Sequence, residues 1–485
     1  MHYAPPGQYG PPGQYAPPGP FGPPPTPRKT SKRWIWITLS SVLALVLVCV
    51  GGAFALRNHN LQRSAERAAA YDEKRNPVKR ESVDRLLAEH TRALKDRDLK
   101  AFLAPFDPAD KKLIADQTRV FHNLTRIPFS EATFANRTMR DVTPLGAGFT
   151  FDLMVGFLHR IGEYDRAPVE RRYFWKVVQD ERNGPLKVTA IDRIPAGFKA
   201  SDDDFYPTPW DKWATVHVEK TEHTVLIVDG SLRAEARRHA PAVEAAAVRN
   251  ITTWKASGVE GEIPSGFVVS LVKGRKDLGS LWRVADEPPT EAGVSISMPT
   301  AEYDANMEQL DGPLIGGSRV VIDLKTSFFT AAAPDGPPLI FRHELAHSMV
   351  AALTAVDKDS PERSERSLWT VEGFAEYMAY SPKPWTASYN IPEGRRQLRA
   401  DRGEVSLPGN GVWNSSSAGR LNYHYLLGHT AMDYIAGKYG AQKLFQFVAG
   451  NYRGKSVENL TQELFGVSYQ EFERQWAAHV TGKLR

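Results

Sequence analysis

One short segment places the tightest limit on how this chain can fold. Residues 339–351 read LIFRHELAHSMVA and hold His343 and His347 one helical turn apart, with Glu344 directly after the first histidine. Apolar residues recur around them at helical spacing, which indicates a helix buried on most sides. Two imidazoles on one helix face can reach a single tetrahedral Zn²⁺ at about 2.0–2.1 Å. Glu344 lies about 100° around the helix, where it misses the metal but reaches a water beside it.

A third ligand is needed, because HExxH should arise by chance in about two chains per hundred of this length and histidine content. The metzincin class is excluded, since its Gly and His positions hold Val350 and Leu353. The segment SLWTVEGFAEYMAY (367–380) predicts a second helix with Glu372 and Glu376 one turn apart. We expect Glu372 to complete a His₂Glu zinc site, and Glu376 to accept the other N–H of a ligating histidine. The alternative is that Glu372 and Glu376 are solvated side chains without a role in metal binding.

These motifs resemble those of a known family. HELAH followed by WTVEGFAEY is similar to the gluzincin metallopeptidases, and among them to the bacterial peptidase MA-like proteins. The resemblance covers about 210–485 and implies a zincin-type domain, with a mixed sheet followed by a mostly helical half. It also implies Glu372 as ligand and Glu344 as general base. The GAMEN-type residues that bind a free α-amine are absent, so an endopeptidase is expected.

Peptide hydrolysis also needs a hydrogen-bond donor for the developing oxyanion. Tyr425 is the predicted donor, because it begins the segment that matches the family's later helix, and Tyr423 and His424 are close alternatives. The strand predicted at 318–324 is expected to form the edge of the cleft, where a substrate could add as an extended strand.

The N-terminal part predicts attachment to a membrane. Residues 1–33 form a Pro/Gly-rich tail that cannot bury a core and ends in four basic residues. Residues 34–56 follow without a charge, and a helix of 23 residues can cross a bilayer. We expect a single-pass cell-membrane protein with a cytoplasmic N-terminus and an extracellular catalytic domain. The sequence AFA at 53–55 leaves a cleaved signal peptide as the alternative.

Between anchor and catalytic domain the sequence predicts two further parts. Residues 57–76 are polar and read as a stalk. Residues 77–200 begin with helical patterns and continue with strands such as FTFDLMVGFL (149–158). This order resembles an NTF2-like α+β cone, which would be a spacer or a ligand-binding part. The expected fold class is therefore α+β: a transmembrane helix, an NTF2-like domain at 77–200 and a zincin-type domain at 210–485.

Composition limits the partners. The formal net charge of +5 is too small to argue for nucleic acid, and no basic stripe interleaves with aromatic residues. Cys49 is the single cysteine, so a metal in the remainder must be held by His, Asp or Glu. The sequence thus predicts a membrane-anchored zinc metallopeptidase acting on a protein or peptide. The alternatives are a catalytically silent zincin-fold binding protein and a ligand sensor that uses 77–200. Nothing in the sequence indicates the oligomeric state.

Overall fold

The structure is a computed structural model, and the residues it describes belong to one compact unit. They are 78–192, 207–261, 263–282, 291–301, 315–333, 335–354, 366–413 and 416–484. The predicted tail, stalk and membrane span lie outside these ranges.

Three helices open the described chain: α1 (Arg80–Lys95), α2 (Leu99–Leu103) and α3 (Lys111–Leu124). Asp98 and Asp110 cap α2 and α3, each accepting a hydrogen bond from the backbone N–H three residues later. These caps start each helix where the sequence places a short acidic residue after a turn.

A four-stranded antiparallel sheet follows, in the order β1-β2-β3-β4. Its strands are β1 (Phe129–Leu145), β2 (Gly148–Ile161), β3 (Val169–Gln179) and β4 (Leu186–Asp192). His90 of α1 lies in the core between helices and sheet, stacked at 4.0 Å on Phe102. Burial lowers the pKa of this imidazole to about 3, so it is a neutral core residue. Helices precede strands as the sequence predicts, while the NTF2-like assignment stays a prediction.

A second, mixed sheet has five strands in the order β5-β6-β7-β9-β8. Its elements, with the helices between them, are α4 (Pro209–Lys212), β5 (Val216–Lys220), β6 (Thr224–Asp229), α5 (Arg233–Ala256), β7 (Phe267–Val272), α6 (Arg275–Trp282), β8 (Gly293–Pro299) and β9 (Ile315–Asp323). Strands β6, β7 and β9 run parallel, and β5 and β8 add antiparallel at the two edges.

The predicted cleft edge at 318–324 is therefore wrong. Strand β9 is hydrogen-bonded to β7 on one side and to β8 on the other, so it lies inside the sheet. Val320, Val321 and Ile322 are all buried, as expected for a strand covered on both faces. The edge strand on this side is β8.

Seven α-helices follow β9 in the described ranges: α7 (Gly336–Ala351), α8 (Leu368–Tyr380), α9 (Ile391–Ala400), α10 (Ala418–Tyr439), α11 (Ala441–Tyr452), α12 (Val457–Phe465) and α13 (Tyr469–Leu484). Helix α7 packs on the second sheet, where Phe341 and Leu345 share a core with Val320 and Ile322. Helix α5 packs on α7, α10 packs on α8, and α11 contacts both, so most residues of α7 and α8 are buried.

The two predicted domains, 77–200 and 210–485, contact each other through a buried ion pair. Asp165, fully buried after β2, accepts hydrogen bonds from the Arg319 guanidinium of β9 at 2.6 and 2.9 Å. Gly317 makes room for it, because a Cβ there would lie 2.0 Å from an Asp165 oxygen. The contact fixes the first sheet against the sheet that supports α7.

The predicted fold class needs one correction. The mixed α+β class is found, but the prediction included a membrane-spanning helix, and none of the described helices combines the length and apolar character that crossing a bilayer requires. The longest described helix, α5, has 24 residues but carries charged side chains along its length and packs in the core. The segment that carried the prediction, 34–56, is among the residues the structure does not describe.

Candidate metal centre

Helices α7 and α8 are held together by Arg342. Its guanidinium donates to the backbone oxygens of Met378 and, at 2.7 Å, Ser381, at the C-terminal end of α8. Burial, reinforced by the charge of Arg249, lowers the pKa of Arg342 to about 10, so the side chain stays charged at neutral pH. A cation at the carbonyl end of a helix is favourable, and this contact sets the position of α8 relative to the histidines of α7.

The three predicted zinc ligands come together. Nε2 of His343 lies 3.1 Å from Nε2 of His347. Oε2 of Glu372 lies 3.5 Å from the first nitrogen and 3.2 Å from the second. Neighbouring donors in a tetrahedral zinc site with bonds of about 2.0–2.1 Å lie about 3.3–3.4 Å apart. The donor set and its spacing therefore fit one zinc ion, with a fourth position left for water or substrate.

Glu376 supports this arrangement from behind. Its Oε1 lies 3.2 Å from Nδ1 of His343, on the ring edge opposite to the ligand nitrogen. A carboxylate at Nδ1 keeps the proton on that nitrogen and leaves the lone pair of Nε2 free for a metal. Glu376 thus lies where the sequence prediction put it.

Without a metal ion, the charged side chains of the centre attract one another. Burial alone would raise the pKa of the Glu372 carboxyl, but attraction and hydrogen bonds from His347 and His343 outweigh burial and hold that pKa well below its usual range. Burial likewise disfavours a charged His343, yet hydrogen bonds to Glu372 and Glu376 raise its pKa well above the ordinary value. A divalent cation bound here would compete with protons for the same nitrogen and carboxylate atoms.

Glu344 lies next to the ligands without joining them. Its side chain is buried, 5% exposed, and faces Gly293 at the start of the edge strand β8. A Cβ at Gly293 would lie 2.8 Å from Oε1 of Glu344, so only glycine leaves the carboxylate in this place. Burial raises the pKa of the Glu344 carboxyl above its usual range, although the two neighbouring imidazoles oppose the shift. A raised pKa suits a group that takes up and releases a proton near neutrality.

Of the three predicted oxyanion donors, Tyr425 faces the metal centre. Its ring lies 6.1 Å from the ring of His343. Burial, together with the charges of Glu372 and Glu344, raises the pKa of Tyr425 well above its ordinary value, so its hydroxyl keeps the proton that it would donate. Tyr423 and His424 line a separate cavity on α10 instead.

Two glycines bring α8 and α10 close enough to share the centre. Gly373 follows Glu372, and a Cβ there would lie 2.5 Å from the backbone of Gly428 on α10. The reverse holds for Gly428, whose Cβ would lie 2.7 Å from the Trp369 carbonyl oxygen. This contact explains the glycine in the VEGFAEY segment and brings Tyr425 towards Glu372.

We expect Gly373→Ala to lower the free energy of unfolding by about 1–3 kcal/mol, because backbone atoms cannot move aside as a side chain can. Zinc affinity should fall with it, since Glu372 moves with α8. Urea unfolding and zinc titration measure the two effects. Gly437→Ala is the matched control: this exposed glycine of α10 has no atom near its Cβ position, so alanine should stabilise the helix. Equal stability of both variants would contradict the close-contact explanation.

Three contacts of the centre were not predicted from the sequence. Gly293 positions the Glu344 carboxylate, Trp413 packs at 5.4 Å on the Tyr425 ring, and His429 is buried on α10 with its pKa lowered to about 4 by burial. Trp413 and His429 lie in the aromatic-rich region around α10, where composition alone does not separate packing from function. Gly293 lies 50 residues before His343, in a short strand with no motif.

A second group of possible ligands, Glu222, His223 and Glu244, occurs where the β5–β6 hairpin contacts α5. Here the Glu244 carboxylate already accepts hydrogen bonds from the Thr221 hydroxyl at 2.5 Å and from the His223 backbone N–H at 3.0 Å. Nδ1 of His223 lies 2.7 Å from the same carboxylate. This arrangement clamps the hairpin to the helix and satisfies its own polar atoms.

Comparison with models of known protein families finds no match to this chain, and comparison with curated proteins finds none.

Proposed function

We propose that the chain is a zinc-dependent metallopeptidase of the gluzincin type that hydrolyses internal peptide bonds. The observation that carries the proposal is the convergence of His343, His347 and Glu372, with donor separations of 3.1–3.5 Å, beside a buried carboxylate that is not a ligand. When bound, Zn²⁺ would supply a water that ionises near neutral pH and a Lewis acid for the scissile carbonyl.

The residues of the chain would have the following roles in the reaction. His343, His347 and Glu372 hold the ion, and Glu376 fixes the His343 tautomer. Glu344 accepts one proton of the attacking water as the new C–O bond forms, and it delivers a proton to the amine nitrogen as the C–N bond breaks. The products are a carboxylic acid and an amine, which in water exchange the remaining proton to give a carboxylate and an ammonium group.

Tyr425 contributes a hydrogen bond to the carbonyl oxygen as negative charge develops there. Its hydroxyl is a neutral donor, because burial and the neighbouring carboxylates raise its pKa and keep the proton in place. A neutral donor adds attraction for the developing charge without placing a second cation beside the ligands.

The edge strand β8 offers a place for an extended peptide. Within the described ranges it pairs with β9 alone, and one further bridge joins the next residue, Thr300, to Val169. Its side chains alternate: Val294 and Ile296 pack in a core on one face, and Gly293 lies towards Glu344 on the other. Peptide binding by strand addition would bring a scissile bond along β8 to the general base.

The purified protein should contain about one zinc per chain and hydrolyse a mixed library of blocked peptides. Removing the metal with 1,10-phenanthroline should abolish hydrolysis, and added Zn²⁺ should restore it. His343→Ala should lose the metal, whereas His223→Ala, in the second acidic group, should keep it. Hydrolysis that persists without metal, or zinc that depends on His223 instead, would contradict the proposal.

A further inference from the structure

A cavity of about 900 Å³ lies against the first turns of α10. Arg420, Tyr423, His424 and Leu427 line it from the helix, at the spacing of residues that share one helix face. Tyr425 lies about 200° around the helix from Tyr423, on the side of the metal centre. One face of α10 therefore lines the cavity, and the opposite face contributes Tyr425 to the metal centre.

Two buried polar atoms of the cavity lining lack partners. Tyr423 is 2% exposed and His424 is 7% exposed, and neither Oη of Tyr423 nor Nδ1 of His424 has a hydrogen-bond partner within the described ranges. Buried polar groups are rarely left in this state, because each loses its water without a replacement. Burial lowers the pKa of His424, assisted by the charge of Arg420, so the ring is neutral. Both atoms are shielded from solvent, so a ligand can supply the missing partners only by displacing the side chains that cover them.

The lining also includes residues 404–409, a segment without regular secondary structure. Glu473 anchors it by accepting a hydrogen bond of 2.8 Å from the Leu407 N–H. The backbone N–H groups of Val405 and Ser406 form no hydrogen bond within the described chain. Leu407 and Leu427 contribute apolar surface. Free backbone donors beside apolar side chains match an extended peptide, which offers carbonyl oxygens along its edge and a side chain to bury.

Two of the three charged side chains that line the cavity neutralise each other, and the exposed carboxylate of Glu404 is the third. Arg420 donates to both carboxylate oxygens of Asp401, at 2.5 and 2.9 Å. This pairing raises the pKa of Arg420 and lowers that of Asp401, so the two opposite charges persist together at neutral pH. A peptide backbone is neutral and carries both donors and acceptors.

The cavity is also close to the reacting centre. Trp413 packs at 5.5 Å on the His424 ring and at 5.4 Å on the Tyr425 ring, so one indole separates the two places. An extended decapeptide is about 33 Å long and a helix is about 10 Å thick, so a decapeptide is long enough to span the distance between them.

We propose that this cavity is a second binding site for the peptide substrate, which holds a segment remote from the scissile bond in extended form. The inference rests on the proposed peptidase function and adds that long peptides are preferred over short ones.

The test compares cleavage of blocked decapeptides with that of blocked tetrapeptides that share their central residues. The wild-type protein should show a higher kcat/KM for the decapeptides, and Tyr423→Phe should lower this long-to-short ratio by about tenfold, as expected for one lost hydrogen bond. The same variant should unfold at an equal or higher temperature, because it removes a buried hydroxyl without a partner. Tyr434→Phe is the control on the same helix: its hydroxyl accepts a hydrogen bond of 2.9 Å from Lys438, and its loss should leave the ratio unchanged.

An unchanged ratio in Tyr423→Phe would overturn the inference and leave the peptidase proposal standing. If the zinc-loaded protein cleaves neither length, the peptidase proposal fails. The second site is then decided by fluorescence anisotropy of the labelled decapeptides with Glu344→Gln and with Glu344→Gln/Tyr423→Phe. Binding that is equal in both proteins, or absent from both, would overturn the inference.

Discussion

The Glu344→Gln variant should keep its zinc and lose peptide hydrolysis by a factor of about 10²–10⁴. Glutamine has nearly the same shape, but its amide cannot accept the proton of the attacking water. The ligand atoms belong to other side chains, so the metal affinity should change little. Metal analysis of the purified variant and its kcat/KM on the parent's peptide substrates measure the two effects. A variant that cleaves those substrates as fast as the parent would remove Glu344 from the role of general base.

A second variant separates the position of this carboxylate from its chemistry. Gly293→Ala keeps Glu344 but inserts a methyl group 2.8 Å from its oxygen, and the flexible side chain would have to move away. We expect kcat to fall while zinc remains bound and the protein remains folded. Ser297→Ala, further along the same strand, is the matched control and should retain the parent's kcat. Full activity in Gly293→Ala would show that this contact does not position the base.

The candidate ligands of the centre were predictable because their geometry is local. Two histidines four residues apart on a helix must lie on one face, and no long-range contact can alter that spacing. Glu372 and Glu376 are predictable for the same reason: one turn places one carboxylate at the metal position and the other behind His343. Tyr425 rather than Tyr423 lies on the side of the metal centre, since residues two positions apart are separated by about 200° around a helix.

The strand order of the second sheet was not predictable from motif position. Strand order depends on contacts between segments far apart in the chain. The pattern of apolar residues nevertheless distinguishes the two strands. Residues 320–322 are consecutive apolar residues, as in an interior strand, whereas GVSISM at 293–298 alternates small or polar with apolar residues, as in an edge strand. Attention to this difference favours β8 over β9 as the cleft edge.

The contact between the two predicted domains could not be predicted from the sequence either. The sequence does not indicate that the aspartate at position 165 pairs with the arginine at position 319, since the two are 154 residues apart. Gly316 and Gly317 are the second and third residues of β9, where glycine is unfavourable for a strand. In the structure Gly317 is required because the Asp165 carboxylate occupies the space of its side chain.

Asp165→Ala should lower the free energy of unfolding by about 3–5 kcal/mol, as expected when one partner of a buried ion pair is removed. The carboxylate is fully buried and accepts three hydrogen bonds: two from Arg319 and one of 2.8 Å from the Ile161 backbone N–H. Its removal strands a guanidinium that is only 16% exposed. Urea unfolding of the variant and the parent measures the loss. Asp152→Ala is the control, because its partner Lys176 is 45% exposed and such pairs contribute about 0–1 kcal/mol.

The double variant Asp165→Ala/Arg319→Ala tests the cause of that loss. If the cost comes from an uncompensated charge, removing the guanidinium as well should destabilise the protein by less than the sum of the two single variants. Additive losses would instead mean that the two side chains act independently, through packing alone. Zinc content should stay near that of the parent in every variant that remains folded, because the pair lies in the contact between the sheets and not among the ligands. Loss of zinc from a folded Asp165→Ala protein would mean that the first sheet helps to shape the metal centre through β9 and α7.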